Sequence, residues 1–446
     1  MNDSKSIAIH AKNTAFNSID ADSSTLINIS KNIWNNPESG FREYRSSKLV
    51  SDYLNNLGLQ PQVELALTGV LAKIKSSKPG PHIAIMGELD SLIVPEHRKA
   101  DPATGAAHVC GHNIQVGNLL AAAVGLSTPE VLDNLCGSIS FMAVPAEEYI
   151  EIEYREQLRQ SGKLEFLAGK QEFIRLGLLD DVDIALLTHA SPTNSQTLMP
   201  GTSHNGMIAK KVRFRGRSAH AGGAPHLGVN ALNAANLAMQ GIALLRETFK
   251  DEDHVRVHPI ITRGGAAVSS VPANVTMEMF IRAATITAMK DAENKVDRAL
   301  KGAAMTIGAE VEISTSPGYM PSLFNPELSK IYDRSVTEII GNDATGRMPH
   351  RTSSTDMGDV SMLIPAMQSY AGGASGRTHS DEFEITDWNL NVIDAGKALA
   401  STAIDLLADD GLEANKIIEN FKPSLSIPEY LETLRSFRRT ELWNGN

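Results

Sequence analysis

The chain has only two cysteines in 446 residues, Cys110 and Cys136. That excludes a disulfide-stapled scaffold, which needs cysteine pairs at regular density. It also lacks any run near the ~20 apolar residues that cross a bilayer, so no membrane span is expected. The first residues, Met1 to Asn13, are polar and have no apolar core of the secretory kind, which makes a cytoplasmic location the default expectation. A surplus of positive charge is missing too. Lys and Arg number 41 against 52 Asp and Glu, a net −11, and the basic residues are scattered rather than drawn into a stripe that would follow a phosphate backbone. Nucleic acid and membrane are thus excluded as expected partners, and a small-molecule substrate is left. Low-complexity tracts and internal repeats are absent. What is present is ordinary globular composition, with 42% hydrophobic and 21% charged residues, at a length for which two domains are the default.

Apolar periodicity predicts a helix over 46–57, where Leu49, Val50, Tyr53, Leu54 and Leu57 share one face before Gly58 stops it. Three short apolar runs, 82–86, 138–144 and 183–187, read as buried strands of an α/β sheet covered by helices. Each leads into polar residues of catalytic type: Glu88 and Asp90, Glu147 and Glu148, and His189. In such sheets ligands gather at the carboxyl ends of the strands. From about Gly206 the pattern changes. A strand around Val212 and Phe214, a helix over 229–249, strands at 255–261 and 275–281, a helix over 288–307 and a strand around Val311 and Ile313 follow in the split βαβ order. The expected architecture is a catalytic domain over 1–205 and 318–446, with a mixed sheet flanked by helices. Into it is inserted a ferredoxin-like domain over 206–317.

Chemistry concentrates at a few places. In His108-Val109-Cys110-Gly111-His112-Asn113 a thiol and an imidazole stand two residues apart at the start of the apolar helix 114–126, where both can meet one metal and the helix dipole favours the thiolate. Pro145-Ala146-Glu147-Glu148 puts two carboxylates side by side after a buried strand. These repel unless a cation or a proton compensates them. One can then bind metal while the other serves as general base. Taken singly, each feature has a bland reading: a small buried cysteine, a solvated acidic turn, structural histidines. Together Cys110, His112, Glu148, His189 and His379 form a donor set suited to zinc, manganese, cobalt or nickel rather than calcium or magnesium.

These motifs resemble zinc metallopeptidase family twenty, which includes aminoacylases and carboxypeptidases. Within it they resemble the amidohydrolase branch that cleaves indole-acetyl amino acids, hippurate and aminobenzoyl-glutamate. The resemblance runs in order through Pro37 to Glu43, Gly87-Glu88-Leu89-Asp90, His108 to Asn113, Pro145 to Glu148, Ser218-Ala219-His220-Ala221 with Pro225-His226, Ser354 to Val360, and His379 to Phe383. It implies two divalent metals bridged by Cys110, one completed by Glu148 and His379 and the other by His112 and His189. In such relatives a metal-bound water attacks the scissile carbonyl, with Glu147 as general base returning the proton to the leaving amine. The inserted domain acts as lid and dimerisation surface, and His220 reaches the partner subunit's site to stabilise the oxyanion. Arg282 and Asn113 are the expected substrate contacts, with Arg347, His350 and Arg351 a second set of basic residues.

The implied reaction is hydrolysis of N-acyl, especially aryl-acyl, amino acids such as aminobenzoyl-glutamate or indole-acetyl conjugates. The chain departs from the branch at Asn113, where many members carry Asp, at Gln115, where many carry a second His, and at Ser269, where an Asn contacts substrate. Substrate identity is left open by these differences. A dipeptidase or carboxypeptidase using the same site is the first alternative. A cysteine hydrolase built on Cys110 with His108 or His112 is the second, and a non-catalytic binding protein the third. The charged segment 149–172 reads as a helical insertion that shapes the rim of the site or an interface.

Overall fold

The computed structural model describes residues 2–193, 197–341 and 348–444. Arg347, one of the basic residues above, lies outside the described residues. In chain order the strands are β1 (Gln62–Leu65), β2 (Gly69–Lys75), β3 (His82–Glu88), β4 (Ser138–Val144), β5 (Ile184–Ala190), β6 (Leu198–Met199), β7 (Gly206–Arg215), β8 (Arg256–Arg263), β9 (Asn274–Ala283), β10 (Glu310–Pro317), β11 (Ala366–Ala371) and β12 (Arg439–Trp443). The helices that matter below are α1 (His112–Leu126), α2 (Ile152–Gln160), α3 (Gly169–Arg175), α4 (Ala231–Leu244) and α5 (Ile286–Ile307).

The chain divides into two compact units. The first holds Met1–Thr202, Leu323–Pro349 and Asp359–Ser424; the second holds Ser203–Ser322, His350–Gly358 and Leu425–Asn446. In the first unit a mixed sheet runs β1-β2-β4-β3-β5-β11-β6. Its centre is parallel, β4 with β3, β3 with β5, and β5 with β11. Both faces of that centre are covered, which is why every residue of β3 and β4 is buried and neither strand alternates. Helix α1 is buried along its whole length, as its apolar composition on all sides requires. Gly111 opens it in the left-handed region at φ 87°, and a Cβ there would lie 2.6 Å from that of Ala190.

In the second unit an antiparallel sheet runs β8-β9-β7-β10-β12. Strand β9 alternates between buried and half-buried positions. Its buried residues Val275, Met277, Met279 and Ile281 pack with Ala234, Ala235 and Ala238 of α4 and with Val296 and Leu300 of α5. Asn230 caps α4 by accepting from the amides of Leu232 and Asn233, and Thr285 caps α5 by accepting from Ala288.

Three expectations are corrected here. The chain after residue 318 does not all belong with the first unit, because the C-terminal segment supplies β12, paired with β10 from Val311↔Trp443 to Thr315↔Arg439. A sheet edge left open by the split βαβ order is covered this way. His189 lies within β5 rather than after it. The helix expected over 229–249 is α4 followed by a separate short turn, Leu245–Thr248. The charged insertion contains two helices, α2 and α3, in the first unit.

Candidate metal centre

Parallel strands β4, β3 and β5 bring three carboxyl ends together, and the start of α1 lies against them. From β3 come Glu88 and Asp90, from the loop after β4 come Glu147 and Glu148, from β5 comes His189, and from the α1 entry come Cys110 and His112. His379 arrives on a later loop, whose backbone amide donates to the carbonyl of Val109 at 2.9 Å. Cys110 Sγ lies 3.4 Å from His189 Nε2, and His379 Nε2 lies 3.3 Å from Glu148 Oε1. His112 Nε2 lies 3.1 Å from Glu88 Oε2, 3.9 Å from Glu147 Oε2 and 4.0 Å from Glu148 Oε1.

Donor atoms fall into three overlapping groups, each within 4.8 Å: Cys110, His112 and His189; Cys110, Glu148 and His379; and Glu88, His112 and Glu147. The first two share the thiol. Ring tautomers are set from behind. His112 Nδ1 faces the carbonyl of Asp90 at 2.9 Å and its carboxylate at 3.2 Å. His189 Nδ1 donates to the carbonyl of Ala190 at 2.6 Å, so both Nε2 lone pairs point inward. His112 Nε2 and Glu148 Oε1 are buried without an aligned hydrogen bond despite their close neighbours. Thiolate, imidazole and carboxylate so arranged fit a borderline divalent ion.

The electrostatics agree. Burial and the Glu148 charge push the Cys110 thiol up, but His189, His379 and His112 outweigh them and hold it at about 6. Burial alone would raise Glu148, yet His379 and His112 keep its carboxyl well below the usual range. Burial likewise opposes Glu88, and Lys170, His112 and His189 bring it to about 2. Glu148 and Cys110 lift His379 to about 11 against burial. Burial pulls His112 down, but Glu88, Asp90 and Cys110 more than reverse this. Anionic donors are thus concentrated here, and protons on His112 and His379 compete with a cation for the same electron pairs.

Comparison with known proteins follows the same lines. Residues 202–306 match the peptidase dimerisation domain of the M20 peptidases. Over 447 aligned residues the chain is 27% identical to a Mus musculus Xaa-Arg dipeptidase, covering 95% of this chain and 94% of that one. It is 26% identical to a p-aminobenzoyl-glutamate hydrolase polypeptide of Escherichia coli (strain K12), covering 88% of this chain and 91% of that one. A Bacillus subtilis structure described as a dinuclear metal binding peptidase superposes with a TM-score of 0.66 at 20% identity, over 87% of this chain and 99% of that one. Over the dimerisation domain the chain is similar to the M20 peptidases, and it shares their fold.

These relatives are peptidases and amidohydrolases, and with them the chain is a metal-dependent hydrolase; none of its described helices is long and apolar enough to cross a membrane. The other expected residues are placed as follows. His220 is exposed in the second unit, where its Nδ1 accepts from the amides of Gly222 and Gly223 at 3.2 and 3.0 Å, leaving the proton of the neutral ring on Nε2. Arg282 stands on β9 of the same unit, its guanidinium 5.4 Å from the Phe280 ring centre. His350 is held there by Ser203 Oγ and Asn205 Oδ1, each at 2.9 Å. Asn113 is fully buried in the first turn of α1, and its carbonyl accepts from Ser30 Oγ at 2.7 Å.

Sequence reasoning left two residues of the centre without a role. Glu88 enters the third donor group, and Asp90 joins His112 to the backbone amides of Glu147 and Glu148 at 3.1 and 2.9 Å. Their signal was present in the sequence: two acidic residues two apart at the end of a buried strand.

Proposed function

We propose that this chain is a two-metal amidohydrolase that cleaves the amide bond of an N-acyl amino acid. One observation carries the reading: two donor groups, Cys110 with Glu148 and His379 and Cys110 with His112 and His189, share a low-pKa thiol, and Glu147 lies beside them. Bound there, the two cations, of zinc, manganese, cobalt or nickel type, would polarise the scissile carbonyl and acidify water. Glu147 takes the proton of that water and delivers it to the departing amine. Asp90 keeps His112 oriented and ties the Glu147-Glu148 backbone to the same point. His220 reaches the partner subunit's site and supplies an N–H to the oxyanion developing there, and the Arg282 fork takes the substrate carboxylate. Asn113, next to His112 in the chain, is the second candidate substrate contact.

Similarity to the Escherichia coli p-aminobenzoyl-glutamate hydrolase polypeptide supports an aryl-acyl amino acid as substrate. A second reading, a dipeptidase acting on free peptides, is supported by the similarity to Xaa-Arg dipeptidase. We further propose a cytoplasmic homodimer, with the domain matched over 202–306 as the dimerising part. A hydrolysis panel of aminobenzoyl-glutamate, indole-acetyl amino acids and Xaa-Arg dipeptides, run with and without chelator, separates these readings. Glu147→Gln is expected to bind metal normally and lose hydrolysis by about 100-fold or more. A chelator-resistant enzyme would indicate a cysteine hydrolase instead, and an active Glu147→Gln would remove Glu147 as the base.

A further inference from the structure

The loop that carries Glu147 is short, and its first residues are conformationally expensive. Ala146 sits at φ 54°, a region that residues with a Cβ avoid unless their surroundings enforce it. Its amides are held on one side by carboxylates: Ala146 N–H by Glu43 at 2.8 Å, and Glu147 and Glu148 N–H by Asp90. On the other side one side chain reaches two of its carbonyls, that of Glu148 also accepting from the Ile150 amide at 2.9 Å. Arg155, on α2 of the charged insertion, is 0% exposed. One guanidinium nitrogen donates to the carbonyl of Ala146 at 3.3 Å and to that of Leu167 at 2.7 Å, and the other donates to the carbonyl of Glu148. The Phe41 ring packs 5.3 Å from its guanidinium carbon.

A buried cation is ordinarily matched with an anion, because removal from water is costly. Among the described residues Arg155 meets no carboxylate. Its Nε is buried without a hydrogen-bond partner among those residues, and the donors on its two terminal nitrogens go to backbone carbonyls, two of them of the residues before and after Glu147. A planar fork bonds both at fixed separation, which an ammonium on a flexible stem cannot do. We propose that Arg155 is the positioning residue for Glu147 and Glu148, and that the insertion at 149–172 exists to deliver it. This rests on the two-metal reading of the site. Arg155 touches no substrate; it acts by holding the two peptide units that bracket the Glu147-Glu148 pair, 146–147 and 148–149.

The test uses the metal-loaded full chain, with kcat, KM, metal content and thermal midpoint measured for Arg155→Ala, Arg155→Lys and the control Arg159→Ala. Arg159 lies on the same helix and pairs with Glu156 at the surface. Arg155→Ala is expected to lose about 100-fold in kcat with KM changed little, since a displacement near 1 Å at a reacting group has that effect. Millimolar methylguanidinium is expected to restore part of the rate, an effect that general loosening of the fold would not show. Arg159→Ala is expected to match wild type. Should Arg155→Ala fail to fold, Arg155→Lys is the arbiter, with a lowered kcat supporting the proposal. Wild-type kcat in either folded variant overturns it, as does a rate loss in Arg155→Ala that ignores methylguanidinium. A wild-type enzyme indifferent to chelator or to loss of Glu147 would instead sink the underlying two-metal reading, so the two failures are distinguishable.

Discussion

Replacing Lys170 by Met removes one half of a buried ion pair beneath the metal centre. Lys170 and Glu88 are each 1% exposed in their side chains and 2.5 Å apart. An exposed pair would be worth about 0–1 kcal/mol. Breaking a buried one by removing a single partner costs about 3–5 kcal/mol, because the remaining charge is stranded away from water. Glu88 keeps Gln115 Nε2 at 2.6 Å and His112 Nε2 at 3.1 Å, so the lower end, about 3 kcal/mol, is the expected loss. Urea unfolding of chelated protein measures it. Trp34 and Trp388, whose rings lie 5.7 Å apart, report the first unit. Trp443 belongs to the second, so a Trp443→Phe background isolates the signal. The double variant Lys170→Met with Glu88→Gln, which removes both charges of this pair, is expected to recover much of the loss. A single variant within about 1 kcal/mol of wild type, the range of a surface pair, would refute the argument. So would a double variant no more stable than the single.

Cys110→Ser is expected to bind fewer than two equivalents of zinc, because an alcohol does not ionise where a thiol held at about 6 does; elemental analysis after gel filtration reads the result, and full occupancy would count against a bridging thiolate. In the metal-free protein, iodoacetamide is expected to modify Cys110 rapidly near neutral pH and zinc to protect it, measured by mass spectrometry. His82 gives a pH dependence of opposite origin. Its Nδ1–H donates to the carbonyl of Asp181 at 2.7 Å and its Nε2 accepts from Ser140 Oγ at 2.8 Å. Burial and nearby Lys73 hold its pKa below the ordinary value, with Asp181 and Asp183 opposing. The unfolded chain therefore takes up the proton first, so this contribution is present above the ordinary histidine pKa and lost as pH falls through it. His82→Gln is expected to flatten the decline in thermal midpoint between about pH 7 and 5, and parallel curves would refute this. Finally, truncation after Phe437 uncovers β10 and removes Arg439, which reaches Glu293 at 2.6 Å. Light scattering is expected to show concentration-dependent association, and an unchanged monodisperse profile would deny β12 its edge-covering role.

Much of this was legible without coordinates because the informative signals are local. Whether a residue run is a buried parallel strand follows from an unbroken apolar stretch of the right length, as in β3 and β4. A thiol and an imidazole before an apolar helix, and a carboxylate pair after an apolar strand, are adjacent in the chain and so visible in it. Lys170, Arg155 and the C-terminal strand were not legible for the opposite reason. Their side chains read as solvated charges or an exposed tail, and their importance lies in partners far away in sequence, such as Glu88, which stands 82 residues from Lys170.

From its sequence alone the protein's fold class, its hydrolytic chemistry and a set of candidate metal ligands could be read, because each depends on residue type and short-range pattern. Only the tertiary structure decided which donors share Cys110, that Glu88 and Asp90 stand behind His112, and that the insertion turns its charges inward. Those are matters of which strand ends meet, and the burial energy that sets them is summed over the whole core rather than written in any one segment.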